Sequence, residues 1–228
     1  MFLTTLLAAQ DMPLESAMAA SAPSFDCAKA KSIAEKAICA DPALSKADVA
    51  IAGGYAAALN KLDPQGRKSL AQDQLDFIGY RDMMAGINAN NAATPPTFDL
   101  GEFLRDRATF LESVRAPKAG FVGAWKNIQG NVDVKPGSSG KFEISAETAN
   151  PVTGGADCVA GGSAAAGKEL RLVDLDDNDK ATGFVFTFSR DGDTLIASQS
   201  GSTKDGGSTP ETCGANGHID GVFFLTAP

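Results

Sequence analysis

The feature that most narrows the folds open to this chain is a change of hydrophobic period at Gly120. Before it, Leu44, Asp48, Ile51, Tyr55, Ala58, Leu59 and Leu62 recur at helical spacing. After it, FVGAW, NVDV, KFEIS, ELRLV, FVFTF, TLIAS and GVFFL read as short strands, divided by turns at PGSSG, DDND and DGD. A helix stripe and an alternating strand need different packing partners, so the two textures predict two cores. The expected fold is multidomain, α then β. A small helical domain over 25–116 precedes an antiparallel β-barrel or sandwich over 120–228. The 228 residues suffice for both.

Helix starts are written locally. Ser32-x-x-Glu35 is a capping-box pattern that opens a short helix running to about Cys39. Asp41-Pro42 opens a second helix, to about residue 62, and Asp63-Pro64 a third, each an N-cap followed by the proline favoured at the first helical position. The third carries Leu70, Gln74, Phe77, Ile78 and Arg81 and fades near Ala85, before a loop over residues 88–96. Asp99 and Glu102 open a fourth helix that ends near Ala116, closed by Pro117 and Gly120. Glycine and serine crowd residues 136–166 and 200–217, which predicts loops there.

Residues 1–22 have the composition of an export signal: an apolar MFLTTLLAA, then small residues with Ala20 or Ala22 as the last removed. Four cysteines in an exported chain, Cys27, Cys39, Cys158 and Cys213, predict two disulfides, and the residues alone leave three pairings open. Cys27 and Cys39 would sit roughly 16 Å apart on a continuous helix, far beyond disulfide reach. If they pair, the segment before Ser32 must turn back along the helix. Such a bridge would staple a helix too short to be stable alone.

The net charge is −8. Asp and Glu outnumber Lys and Arg by 14 to 9 in residues 117–228 but only by 12 to 11 in 26–116. An acidic chain without a basic cluster repels phosphate backbones, so nucleic acid is not an expected partner, whereas a basic protein would be steered toward it. No apolar run has the length of a membrane span.

Catalysis finds little support. His218, the only histidine, lies in a turn-like GANGHIDG, and no pair of carboxylates is singled out by spacing. Asp174, Asp176 and Asn178 take the first three positions of a calcium loop, but Asp179 and Val185 stand where that loop needs Gly and Glu, so the stretch reads as a hairpin turn. No catalytic, cofactor-binding or metal-binding residues are expected.

Phe25-Asp26-Cys27, Glu35, Ile38-Cys39, Asp41, Leu44, Asp48, Tyr55, Gln74, Phe77, Arg81 and Asp82 follow one another in an order and spacing that resemble the LprI-like lysozyme-inhibitor family, over about residues 25–115. Arg107 and Leu111 match its closing helix. Phe77 stands where that family usually has Trp. Two further cysteines expected of it are absent, and their joint loss implies Cys27 with Cys39 and Cys158 with Cys213. The resemblance implies a non-enzymatic inhibitor of c-type lysozyme, or a binder of another basic envelope protein, in the periplasm or secreted. Glu35, Asp48, Tyr55, Gln74 and Arg81 are read as structural residues that cap, pair or hydrogen-bond within the helices. Gly123-x-Trp125 is similar to the G-x-W signature of lipocalin-type barrels, with the Trp packing a barrel end. The alternative function is a small-molecule or lipid carrier that uses the β domain.

Overall fold

A computed structural model describes residues 22–90, 98–149, 158–176, 178, 180–202, 206, 207, 209, 210, 212–214 and 217–227. The expected signal over 1–22 lies outside these residues except for Ala22. Four helices come first: α1 (Ile33–Ala40), α2 (Pro42–Lys61), α3 (Pro64–Asn90) and α4 (Leu100–Ser113). The Ser32–Glu35 capping box forms in both directions at α1, and the Asp41 and Asp99 side chains accept backbone N–H groups at the starts of α2 and α4. Among the described residues no helix is long and apolar enough to cross a membrane.

Two helix ends differ from the sequence reading. α3 continues past Ala85 to Asn90 because Ala85 is still buried on its inner face, and the Asn88 side-chain amide donates to the Phe98 carbonyl at 3.3 Å. α4 stops at Ser113, short of Ala116. Val114 leaves it to form an antiparallel bridge with Thr226, and the Arg115 N–H donates to the Leu225 carbonyl.

Eight antiparallel strands follow: β1 (Gly123–Lys126), β2 (Gly130–Pro136), β3 (Lys141–Thr148), β4 (Cys158–Ala165), β5 (Glu169–Leu175), β6 (Ala181–Asp191), β7 (Thr194–Gly201) and β8 (Gly221–Thr226). Their order is β4-β3-β2-β1-β8-β7-β6-β5, an up-and-down meander that pairs β1 with β8 and brings β4 and β5 face to face. This is a nearly closed barrel. At the seam, the Leu172 side chain lies over Gly162.

Within the glycine- and serine-rich stretch 136–166, where loops are expected, KFEIS forms β3 as read and a further strand, β4, forms where none is expected. β4 escapes the sequence signal because its inward positions, Cys158, Ala160, Gly162 and Ala164, are too small to look like a core. Inward residues of all eight strands fill the barrel with side chains, among them Trp125, Val132, Leu172, Phe186, Phe188, Leu195 and Phe223. In β8 the alternation matters most. Phe223 and Leu225 point into the barrel, whereas Phe224 belongs to the helical core with Leu70, Phe77, Leu104 and Leu111. The helices therefore dock on the outer face of β8, beside β1.

Candidate functional site

The region where helices meet barrel is built around Arg107. Its α4 position turns it inward, and its side chain is 2% exposed against 8% for Asp73 on α3. The guanidinium donates from Nη1 to Asp73 Oδ2 at 2.6 Å, and from Nε and Nη2 to Gln74 Oε1 at 2.9 and 2.7 Å. It also lies over the rings of Phe77 and Phe110, 5.1 and 4.8 Å from their centroids. The second Asp73 oxygen accepts the Ile128 N–H at 2.9 Å, so a single carboxylate ties α3, α4 and the β1–β2 turn together. Burial pushes the Asp73 carboxyl up and lowers the Arg107 pKa, each opposed by the partner's charge. The pair is ionic and fully hydrogen-bonded, which such deep burial requires.

A second polar contact lies at the other end of the barrel. The Asp63 N–H donates to Asp193 Oδ2 at 2.6 Å, and the Asp193 N–H donates back to Asp63 Oδ2 at 3.1 Å. Gly192 beside it has φ +55°, and any side chain there would run into the Asp63 carboxylate. Nearby, Arg190 donates to the Gly120, Gly192 and Thr194 carbonyls and covers the Trp125 ring at 4.7 Å, its pKa lowered by burial. Trp125 is wholly buried and donates from Nε1 to the Phe121 carbonyl, closing that barrel end.

Two clefts flank the β1–β2 turn. One of about 330 Å³ lies between α3 and the barrel, with Gln72, Asp76 and Gln129 on its walls. The other, of about 630 Å³, lies between α4 and the outer faces of β1 and β8.

The residues singled out in the sequence are spread through the helices. Glu35 accepts the Lys31 and Ser32 N–H groups at 2.6 and 3.0 Å, which hold its carboxyl below the usual range. Asp41 caps α2 by accepting the Ala43 N–H. Asp48 is buried and accepts the Ser24 N–H at 2.6 Å, fixing the chain that leads to Cys27. Leu44 and Tyr55 pack on the helical core around Phe77, and Gln74 serves Arg107. Arg81 is buried beside Asp82 and pairs with it through Nε and Nη2, both at 2.7 Å. Cys27 is bonded to Cys39, with Cα atoms 5.9 Å apart across a short 3-10 turn at Cys27–Lys29, and Cys158 is bonded to Cys213. His218 and Asp220 sit 3.9 Å apart and half-exposed.

Asp73 is the residue that the sequence reading passed over. It lies between Leu70 and Phe77 on the buried stripe of α3, and a charge on an apolar stripe is the signal that marks it. Its partners Arg107 and Ile128 are distant in sequence, so their meeting had no local sign.

The four helices fall almost wholly within the match to one family model. Residues 27–112 match the family model described as Lysozyme inhibitor LprI. Over those residues the chain is similar to an LprI domain. The match covers the helices from Cys27 into α4 and none of the barrel. No curated protein and no solved structure matches the chain. The likeness of Gly123 and Trp125 to lipocalin-type barrels therefore rests on those residues alone.

Among the described residues no three His, Cys, Asp or Glu side chains gather as metal ligands. Asp174 accepts the Thr182 hydroxyl, and Asp176 Oδ1 accepts the Asn178 and Lys180 N–H groups, so these carboxylates organise the β5–β6 turn. Asp177 and Asp179 lie outside the described residues. The junction's buried charges neutralise each other, which suits a rigid scaffold for binding better than proton transfer.

Proposed function

We propose that this protein is an exported, non-enzymatic inhibitor of a lysozyme-type hydrolase, organised as an export signal over 1–22, an LprI domain over 25–116 and a β domain over 120–228. The observation that carries the reading is the coincidence of the LprI match at residues 27–112 with a disulfide-stapled run of four helices. Lysozymes of the c type are basic, and a net charge of −8 would steer such a partner toward the inhibitor. Inhibition would be by occlusion, through a surface of the LprI domain, with the barrel as a rigid support. Two exported disulfides fit an oxidising compartment, the periplasm or the cell exterior. The side chains packed through the barrel interior support binding at a surface over carriage of a lipid or small molecule inside it.

The test is residual activity of a c-type lysozyme on cell-wall substrate, titrated with the oxidised chain lacking residues 1–22. Saturable inhibition that weakens in C27S/C39S and at high salt is the expected result. Undiminished activity at large molar excess of protein with both disulfides intact would overturn the lysozyme assignment.

A further inference from the structure

The cleft of about 630 Å³ between α4 and the barrel has a chemistry that the inhibitor reading does not use. Its α4 wall includes Phe103 and Phe110. Both rings are held from behind, Phe103 stacked on Phe77 at 5.0 Å and Phe110 edge-on to Phe224 at 6.3 Å, so the apolar surface is preformed. Asp106 lines the same wall, and Lys126 at the end of β1 lines the facing one. Both are exposed, and among the described residues neither has an ion-pair partner. Arg107 at the floor is already neutralised by Asp73. The cleft thus offers one carboxylate and one ammonium without ion-pair partners among the described residues, on facing walls, together with a fixed apolar surface.

We propose that this cleft binds a short zwitterionic peptide. Its α-ammonium pairs with Asp106, its α-carboxylate with Lys126, and an apolar side chain rests on Phe103 and Phe110. A simple anion would satisfy Lys126 and be repelled by Asp106, and a simple cation would meet the reverse conflict. A neutral sugar would leave both charges without a counterpart. Only a ligand carrying both signs across an apolar body matches all three features, and the volume lies within the roughly 300–1,000 Å³ of small-ligand sites. The proposal stands apart from lysozyme inhibition and does not depend on it.

The test uses the oxidised full chain, labelled with nitrogen-15, titrated with Ala-Leu-Ala bearing free termini, with the same peptide N-acetylated, and with it C-amidated. The free peptide is expected to move the amide resonances of α4 and of Lys126 to Ile128 in a saturable way. Blocking either terminus is expected to weaken binding about tenfold, the loss of one charge-assisted contact. Asp106→Asn should abolish the response to acetylation and keep the response to amidation, and Lys126→Met should do the opposite. Both side chains are exposed, so an unchanged far-UV spectrum would show that each variant folds. Three results would overturn the proposal: no movement of α4 and β1 amides up to millimolar peptide, equal binding of free and blocked peptides, or an uncharged chitobiose that binds the cleft as well as the free peptide.

Discussion

The helical and barrel regions reach stability by different routes. The barrel interior holds large side chains, with Phe184, Phe186 and Phe188 inward on one strand and Trp125 sealing an end. Among the fully buried side chains of the helices, only Phe77 is aromatic, beside Ile38, Leu70, Leu104 and Leu111. On α2 the buried residues are Ser45, Asp48, Ile51, Gly54 and Ala58, only one of them a large apolar group. This region adds to its packing a disulfide, side-chain caps, close backbone approach at Gly54 and the Arg107–Asp73–Gln74 cluster. It also borrows Phe224 from the barrel. The lesson of the contrast is that the helical fold is conditional on its neighbour.

The largest test of that dependence is Arg107→Leu. It leaves Asp73 buried without its counter-charge, and loss of one partner of a buried pair costs about 3–5 kcal/mol. Far-UV ellipticity, which follows the helices, and Trp125 emission, which follows the barrel, should both shift to lower denaturant in one transition. Two separated transitions in the parent protein would break the claim that the regions fold as a unit.

Next come the adjacent residues of β8. Phe223→Ala and Phe224→Ala should each cost about 3–5 kcal/mol in a denaturant titration. Phe223→Ala should also alter native Trp125 emission, because both side chains lie in the barrel core, and Phe224→Ala should leave it unchanged. Identical optical effects would contradict the division of β8 between two cores.

A smaller effect separates the glycines of α2. A Cβ at Gly53 meets nothing within 4 Å, whereas one at Gly54 would sit 3.1 Å from Leu111 Cβ. Gly53→Ala should raise stability by about 0.5–1 kcal/mol, measured by thermal unfolding, and Gly54→Ala should give less or none of that gain. The smallest effect is at Glu35. Its folded-state pKa is lowered by the Lys31 and Ser32 N–H groups, so its ionised carboxylate stabilises the fold above the ordinary glutamate pKa. That contribution fades as pH falls through the lowered value. The stability gap between parent and Glu35→Gln should therefore be widest near neutrality and close in acid, and a gap that widens toward low pH would contradict this sign.

Much of this arrangement was legible in the sequence because it is local. Ser32 with Glu35, Asp41 with Pro42 and Asp99 with Glu102 act within one turn, so their residue types mark helix starts without knowledge of the rest of the chain. The period-two runs marked most strands for the same reason. β4 was hidden because alanine and glycine on its inward face carry no contrast between the two sides of a strand. The choice between barrel and sandwich was equally hidden, since it depends on β1 pairing with β8 about a hundred residues away.

The junction was the least legible part. GVFFL is apolar at successive positions, so its sequence marks a strand buried on both faces and cannot say what covers either. Asp73 stands out as a charge on an apolar stripe, but nothing local names its partners, and only the α3–α4 packing and the β1–β2 turn bring Arg107 and Ile128 to it. By itself the sequence determined the order of helices then strands, where most elements begin, and the resemblance of the first half to LprI. Only the tertiary structure decided which cysteines bond, which phenylalanine serves which core, and where a buried charge finds its partner. Local signals act over three or four residues of one chain segment, whereas these contacts depend on the register and docking of elements far apart in sequence.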